Sequence, residues 1–351
     1  MLQDNTNKII CDSTISEEDS AELIEPIHQE LIQVNKTKKP KIPAQMYTPS
    51  IVGTSLFIFY ACTMYLLPGY LAYLVASLVA PVLLRILLII PLVLLAGNGL
   101  LLMGYLGHDG IHFNLHRNRV VSVIIGCFFS SSIIGYLEMG FATTHWNHHR
   151  YTNQNLDPDV AHFSKFNNFW MRLLFARITL NLIFFKDTLK MALVQPLPYL
   201  YKLPFQPQTL SLLSWLNIGF SLVWLSLYIK LTIDNPLLGL TSIALPGLVV
   251  LTGSGFVPYL QHSGTSEGFL HNARTLTSPI WTILTFGGNY HLEHHMYPNV
   301  PIYRLPYLHR CLKEQKLYEQ DKEIFISRNF LSSLLYALLN YPQGSAEIKV
   351  D

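Results

Sequence analysis

The chain has 351 residues, of which 50% are apolar and only 13% are charged. Soluble globular proteins carry about 25% charged residues, so this composition predicts an integral membrane protein. The net charge is +2, and no basic stripe is interleaved with aromatic residues, which argues against a nucleic-acid partner.

The N-terminal part of the chain differs in composition from the rest. It is polar and contains the acidic run Ser16-Glu17-Glu18-Asp19, without the basic-then-apolar order of a cleaved signal peptide. We therefore predict a disordered tail over residues 1–45 and a single membrane domain over residues 46–345. Four lysines between Lys36 and Lys41 precede the first apolar run, so the positive-inside rule predicts that the N-terminus is cytoplasmic.

Four long uncharged runs follow the tail. Residues 51–84 and 86–107 predict a hairpin of two membrane-spanning helices, because a helix needs about 20 apolar residues to cross a bilayer. Residues 203–229 and 235–261 predict a second pair. Asn98 lies within a predicted span, where we expect its side chain to form a hydrogen bond between helices.

Two further segments are not clear spans. Residues 120–137 are uncharged, but they are few for a crossing and rich in Gly and Ser. Residues 167–195 are amphipathic, and Arg172, Lys186, Asp187 and Lys190 cluster near one face. This pattern is typical of a basic helix that lies in the membrane interface.

Most of the fourteen histidines lie in short motifs. Spacings of three and four residues place side chains on one helical face. The motifs are His108, His112 and His116 after the second run, then His145, His148 and His149, the single His262 at the end of the fourth run, and His291, His294 and His295.

The number of crossings decides whether these motifs can meet. With four spans, every motif lies at one face of the membrane. If residues 120–137 also crossed, the motif at His108 would be separated from the others. We therefore predict four spans and a re-entrant or interfacial segment at residues 120–137.

Nine or ten converging imidazoles exceed the needs of one metal ion, because zinc takes four ligands. Imidazole binds iron, zinc, copper and nickel alike, so the residues alone predict two ions without naming the metal. The chain has no H-E-x-x-H motif, which argues against a zinc protease.

The order H-x-x-x-H, H-x-x-H-H and again H-x-x-H-H, spread over four predicted spans, resembles the membrane-bound fatty acid desaturase/hydroxylase superfamily. The resemblance covers residues 49–311. It implies an all-α integral membrane protein with four transmembrane helices, interfacial helices and a cytoplasmic, histidine-rich di-iron cap. It also implies two iron ions (Fe²⁺) and O2 as co-substrate, which together remove hydrogen from an unactivated C–H bond.

The resemblance also assigns the site. It implies that the metal ligands and catalytic residues are His108, His112, His145, His148, His149, His262, His291, His294 and His295. His116 is a tenth candidate ligand, or a residue that only supports the ligands. We expect Asp109, Asn289 and Glu293 to support the ligands from behind.

Other polar residues near the motifs stay open or are expected to be peripheral. Asp157 and Asp159 are equally compatible with supporting a ligand and with a solvated surface. His271 and Arg274 are expected to brace the region around His262. We predict that His28, His162 and His309 are surface histidines.

The expected reaction is the desaturation of a long acyl chain, carried by a membrane lipid or a thioester, in an apolar tunnel bordered by Gly97 and Gly104. A carotenoid hydroxylase or ketolase, or an alkyl hydroxylase, is the alternative, because the first motif reads H-D-x-x-H-x-x-x-H. No His-Pro-Gly-Gly signature of a fused cytochrome b5 is present, so we expect ferredoxin or free cytochrome b5 as an external electron donor.

Two other classes of protein are less compatible with the sequence. A metal transporter would place His, Asp or Glu within the spans, where the four runs have none. A membrane zinc hydrolase is the remaining alternative, which metal analysis would distinguish.

Overall fold

A computed structural model describes residues 39–331 except 167, 321–323, 325 and 330. Most of the predicted tail over residues 1–45 therefore lies outside the described residues, as does His28. A 3₁₀ turn at Ala44–Tyr47 precedes the first long helix.

The described chain is mainly helical, which confirms the predicted all-α class. Four of its helices, α1, α2, α7 and α8, are long and apolar enough to cross a bilayer. The helices, in chain order, are α1 (Ile51–Ser77), α2 (Val82–Ile111), α3 (Arg119–Ser130), α4 (Glu138–Tyr151), α5 (Pro158–Phe163), α6 (Arg177–Ala192), α7 (Pro207–Asp234), α8 (Pro236–His262), α9 (Pro279–Thr285), α10 (His291–Met296) and α11 (Leu305–Glu314).

The two halves of the first hairpin, α1 and α2, pack very closely. A Cβ atom at Gly99 would lie 2.3 Å from the backbone nitrogen of Tyr65, so only glycine permits this approach. Next to Gly99 in α2, the Asn98 amide donates to the carbonyl oxygen of Leu284 in α9 at 2.9 Å. The expected interhelical hydrogen bond of Asn98 is therefore present.

Helix α3 is too short to cross, since its 12 residues extend only about 18 Å. It runs back along α2, where a Cβ at Gly110 would lie 2.8 Å from the Cα of Gly126. Beyond its C-terminus, Tyr228 of α7 donates to the Ser132 carbonyl at 3.1 Å. The segment thus enters the bundle without spanning it, as the crossing count predicted.

The amphipathic segment before α7 differs from its prediction. Phe169–Met171 and a π-helical stretch at Arg172–Ala176 lead into α6. Arg172 is fully buried, with its guanidinium 3.8 Å from the ring centre of Tyr259. Asp187 is also buried, and it accepts a hydrogen bond from the Tyr199 hydroxyl. The charged residues therefore do not form one basic face.

A small two-stranded sheet holds the third histidine motif. Strand β1 (Thr275–Leu276) pairs in parallel with β2 (Ile326–Ser327), and Thr275 also forms an antiparallel bridge with Tyr290, next to the start of α10. Helix α11 packs against α10 and buries Leu305, Leu308 and Leu312.

Candidate metal centre

The histidine motifs lie at the ends of helices that meet at one end of the bundle. His108 is in the last turn of α2, and His262 is the last residue of α8. His145, His148 and His149 project from α4, while His291, His294 and His295 project from α10.

One set of imidazoles forms what we call the first group. The Nε2 atom of His145 lies 3.1 Å from that of His112 and 3.0 Å from that of His149. His149 Nε2 lies 2.9 Å from His294 Nε2, and the ring of His108 is 4.4 Å from that of His294. The ligand atoms of all five residues lie within 4.8 Å of one another.

The remaining four predicted ligands form the second group. His262 Nε2 lies 3.2 Å from His148 Nε2 and 3.0 Å from His291 Nε2. His291 Nε2 is in turn 3.1 Å from His295 Nε2. Helices α4 and α10 contribute to both groups, so the two groups are neighbours.

These distances fit two bound metal ions. Hydrogen bonds cannot join all of these facing Nε2 atoms, because each imidazole carries at most one proton on that nitrogen. Two imidazoles at right angles on an ion, with bonds of about 2.1 Å, would hold their nitrogens about 3.0 Å apart. The donor set therefore suits two ions, one bound by four imidazoles and one by five.

Burial keeps most of the imidazoles neutral, the form in which they bind metal. For His112, His145 and His149, burial and then the neighbouring imidazoles hold the pKa well below its ordinary value. The same two causes lower the pKa of the three histidines of α10, which are His291, His294 and His295.

His148 is the exception. Burial lowers its pKa, but the carboxylates of Asp157 and Asp159 outweigh burial and raise the pKa to about 9. Asp157 is buried, and each of its oxygens lies 3.0 Å from His148 Nδ1. This contact holds one proton on Nδ1 and turns Nε2 towards the second group, where a metal ion would replace the other proton. Asp157, left open by the sequence, thus contacts a ligand, and Asp159 Oδ2 lies 3.9 Å away.

Other groups orient the second group of ligands. His262 Nδ1 lies 2.8 Å from the carbonyl oxygen of Asn272, and His295 Nδ1 is 3.3 Å from Thr152 Oγ1. The loop that carries Asn272 is anchored where the backbone of Arg274 donates to the Gln261 carbonyl.

The three residues expected to support the ligands are all buried, but each forms its hydrogen bonds elsewhere. Asp109 accepts from the backbone N–H of Ile302 at 3.0 Å, and its nearest contact to His108 Nδ1 is 4.0 Å. The Asn289 amide donates to the Leu276 carbonyl. These residues fix the chain segments that carry the histidines rather than the imidazoles.

Glu293 is the centre of a network between the third motif and the C-terminal segment. Its carboxylate accepts hydrogen bonds from Thr275, from His309 Nδ1 at 2.6 Å and from the Tyr318 hydroxyl. His309 was expected to be a plain surface histidine, and this contact corrects that expectation. His162 is also buried, 2.9 Å from the Ala176 carbonyl oxygen.

His116 lies outside both groups. Its predicted place rested on helical spacing, but α2 ends at Ile111 and the backbone reverses at Phe113, which has a φ of 64°. His116 Nδ1 instead accepts a hydrogen bond from the backbone of Asn118 at 3.0 Å.

The family comparison agrees with this geometry. The family model for fatty acid desaturases, described as "Fatty acid desaturase", matches residues 85–327, which include both groups of histidines. The chain belongs to the fatty acid desaturase family. A comparison with curated proteins finds no match.

Membership of this family makes the protein a membrane oxidoreductase whose substrates belong to the acyl lipids. Its central cavity lies against the histidines. Six of them line the cavity, namely His108, His145, His148, His262, His291 and His294. The rest of the lining is mainly apolar and includes Leu101, Ile133, Phe163, Leu180 and Val250.

The two glycines expected to border the cavity have different surroundings. Gly104 lines it, and a Cβ there would meet only Ile133 Cδ1, at 3.3 Å. Gly97 is a packing contact between α2 and α8, since its Cβ would lie 2.4 Å from Val249 Cγ1. The expectation for Gly97 is therefore corrected.

Sequence reasoning missed a charged cluster beside the central cavity. The guanidinium of Arg177 lies 5.0 Å from the ring centre of Tyr136, and both residues line the cavity with Asp159. Glu138 is fully buried beside Gly107, and burial raises its pKa to about 8. No sequence signal distinguished Arg177 from the surface cations of an interfacial helix.

Proposed function

We propose that this protein is an O2-dependent di-iron oxidoreductase that desaturates a long acyl chain. The observation that carries the proposal is one apolar cavity whose wall includes imidazoles of both histidine groups. A hydrocarbon chain lying in that cavity contacts both groups at once.

The proposed irons are held by the two groups as the structure arranges them. The first group would bind one Fe²⁺ and the second group the other, and His116 takes no part. When bound, the irons supply the activation of O2 that removes hydrogen from an unreactive C–H bond. Asp157 keeps the proton of His148 on Nδ1, so that Nε2 faces the metal.

The apolar residues of the cavity bind the chain and exclude water. Burial contributes about 0.8 kcal/mol per methylene, so a long chain is held without any polar contact. Rigid cavity walls also favour loss of a second hydrogen, which gives desaturation. A misplacement of about 1 Å can reduce a rate 100-fold, and a chain that stays in place can lose a second hydrogen from the adjacent carbon.

We infer that electrons come from a separate carrier, ferredoxin or cytochrome b5, that docks on the membrane face bearing the histidines. The positive-inside rule, applied to the lysines at residues 36–41, supports a cytoplasmic location for that face. Cysteines introduced at the exposed Arg117 and Arg150 should react with an impermeant reagent from the same side, and a cysteine at Asp234 from the other.

The test of the function is product analysis. The purified protein, loaded with iron and given O2 and a reductant, is incubated in vesicles that contain saturated acyl lipids and carotenoid. Mass spectrometry should find acyl chains lighter by two hydrogens. Oxygenated carotenoid with unchanged acyl lipids would instead establish the hydroxylase or ketolase alternative.

A further inference from the structure

A second cavity lies beside the central one, towards the outside of the bundle. We call it the lateral cavity. It is lined by most of the segment 131–137 between α3 and α4, by Phe185 of α6, and by α7 residues between Ile218 and Leu225. Its lining carries no charged side chain and is mainly apolar, with hydroxyls from Ser131, Ser221 and Tyr136, so it suits a hydrocarbon and not a charged group.

Two side chains separate the lateral cavity from the central one. Ile133 and Tyr136 line both cavities, and both residues are buried. The backbone between them includes Gly135, with a φ of +77° and no atom within 4 Å of the position its Cβ would take. A change in these two side chains would join the lateral cavity to the histidines.

The lateral cavity opens at the depth of lipid chains. Its α7 residues lie at least about 13 Å along the helix from either end of that span. Ile134, Phe185 and Leu222, at its rim, are 52%, 55% and 58% exposed. Large apolar side chains exposed at this level face hydrocarbon in a bilayer.

We propose that the acyl chain of a bilayer lipid enters the central cavity sideways, through the lateral cavity and past Ile133 and Tyr136. The proposal rests on the proposed function for the use of the central cavity, and it names the substrate class as a membrane-lipid acyl chain. A thioester in solution would bring its polar carrier to the membrane surface, and this opening lies in the hydrocarbon.

The entry route is tested without turnover by photolabelling. The iron-loaded protein is placed in vesicles of phosphatidylcholine that carries a diazirine on one acyl chain, and labelled peptides are sequenced. We expect labelling of Ile133, Tyr136 and the 218–225 stretch. Labels only on other lipid-facing residues would overturn the proposal.

A plugged variant provides the matched comparison. Ser221→Trp should fill the lateral cavity and reduce labelling of Ile133 and Tyr136 at least about tenfold. Leu227→Trp, on the same helix, 44% exposed and lining neither cavity, should leave labelling unchanged. Ile134→Trp plugs the opposite wall if Ser221→Trp fails to retain iron. Equal labelling in plugged and control variants would contradict the route.

Turnover then separates this proposal from the proposed function. Ser221→Trp should slow desaturation of a phosphatidylcholine-borne chain, and Leu227→Trp should not. If the plugged variant desaturates the lipid at the control rate, the route is wrong while the function stands. Photolabelling at Ile133 with no oxidation of any chain by the wild-type protein would reject the function and keep the route.

Discussion

The protonation of single histidines determines how the site responds to acid. Six imidazoles outside the spans have pKa values well below the ordinary value of about 6.5, whereas the pKa of His148 is raised. Below about pH 6.5 the unfolded chain therefore binds more protons than the folded one, so stability falls with falling pH. The contributions of His148 and of the buried Glu138 carboxyl, whose pKa is raised to about 8, are opposite and are lost as pH rises towards 9.

We predict that the iron-free protein becomes less stable between about pH 7 and about pH 5, by up to about 1.4 kcal/mol per pH unit for each imidazole held neutral. Thermal unfolding in detergent across this range measures it. A midpoint temperature that does not change, or that rises in acid, would show that the imidazoles are not held neutral.

Replacing one imidazole from each group should have a larger effect than replacing His116. We expect His294→Ala and His148→Ala to abolish turnover while leaving membrane insertion intact, because each removes a ligand of a different group. His116→Ala should retain turnover, since its ring lies outside both groups and its Nδ1 accepts from the backbone of Asn118. Product formation per mole of protein measures this. Full activity in either ligand variant would exclude that residue from the centre.

The sequence predicted which histidines meet because i+3 and i+4 spacing survives wherever the segment is helical. It could not predict that α2 ends before His116, because that end depends on the turn at Phe113. Nor could it predict Asp157 behind His148 or His309 against Glu293, because these contacts join segments through tertiary packing.

At the scale of elements, two glycines of α2 have different roles: Gly97 packs against a neighbouring helix, and Gly104 borders the central cavity. Gly104→Val should reduce turnover and favour shorter chains while iron binding persists, because the new side chain meets only Ile133 and the cavity. Gly97→Val should lower stability by about 1–3 kcal/mol, because Val249 already occupies that space.

Chain-length profiles and thermal unfolding of the two variants measure the difference. The two variants serve as controls for each other. An unchanged chain-length preference in Gly104→Val, or a Gly97→Val protein as stable as wild type, would contradict this assignment.

The network around Glu293 links α10 to the C-terminal segment. Glu293→Ala should lower iron affinity about 10- to 100-fold, because three donors lose their acceptor and α10 loses its anchor. Tyr318→Phe removes one donor only and should have a smaller effect. Competition with an iron chelator measures both. Equal affinity in Glu293→Ala and wild type would show that α10 is held by other contacts.

The four spans were predictable because uncharged runs of this length rarely form anything other than membrane-spanning helices. The crossing count also predicted that α3 does not span the membrane. The burial of Arg172 and Asp187 was not predictable, since their partners, Tyr259 and Tyr199, come from distant or irregular parts of the chain. Helical periodicity reports which residues share a face, but not what covers that face.

At the scale of the whole molecule, the bundle brings nine imidazoles from four helices to one end of an apolar cavity. The shape of the cavity could not be predicted from the sequence, because its walls come from residues between Leu101 and Leu305 that meet only in the folded bundle. The family match covers the segments that carry all nine imidazoles.

The most direct test of the account is the metal content of the purified protein. Elemental analysis against protein concentration should give about two irons per chain, because four and five imidazoles form separate groups. His294→Ala and His148→Ala should each lose about one of them. A single zinc per chain, with iron absent even after growth in iron-rich medium, would contradict the di-iron centre.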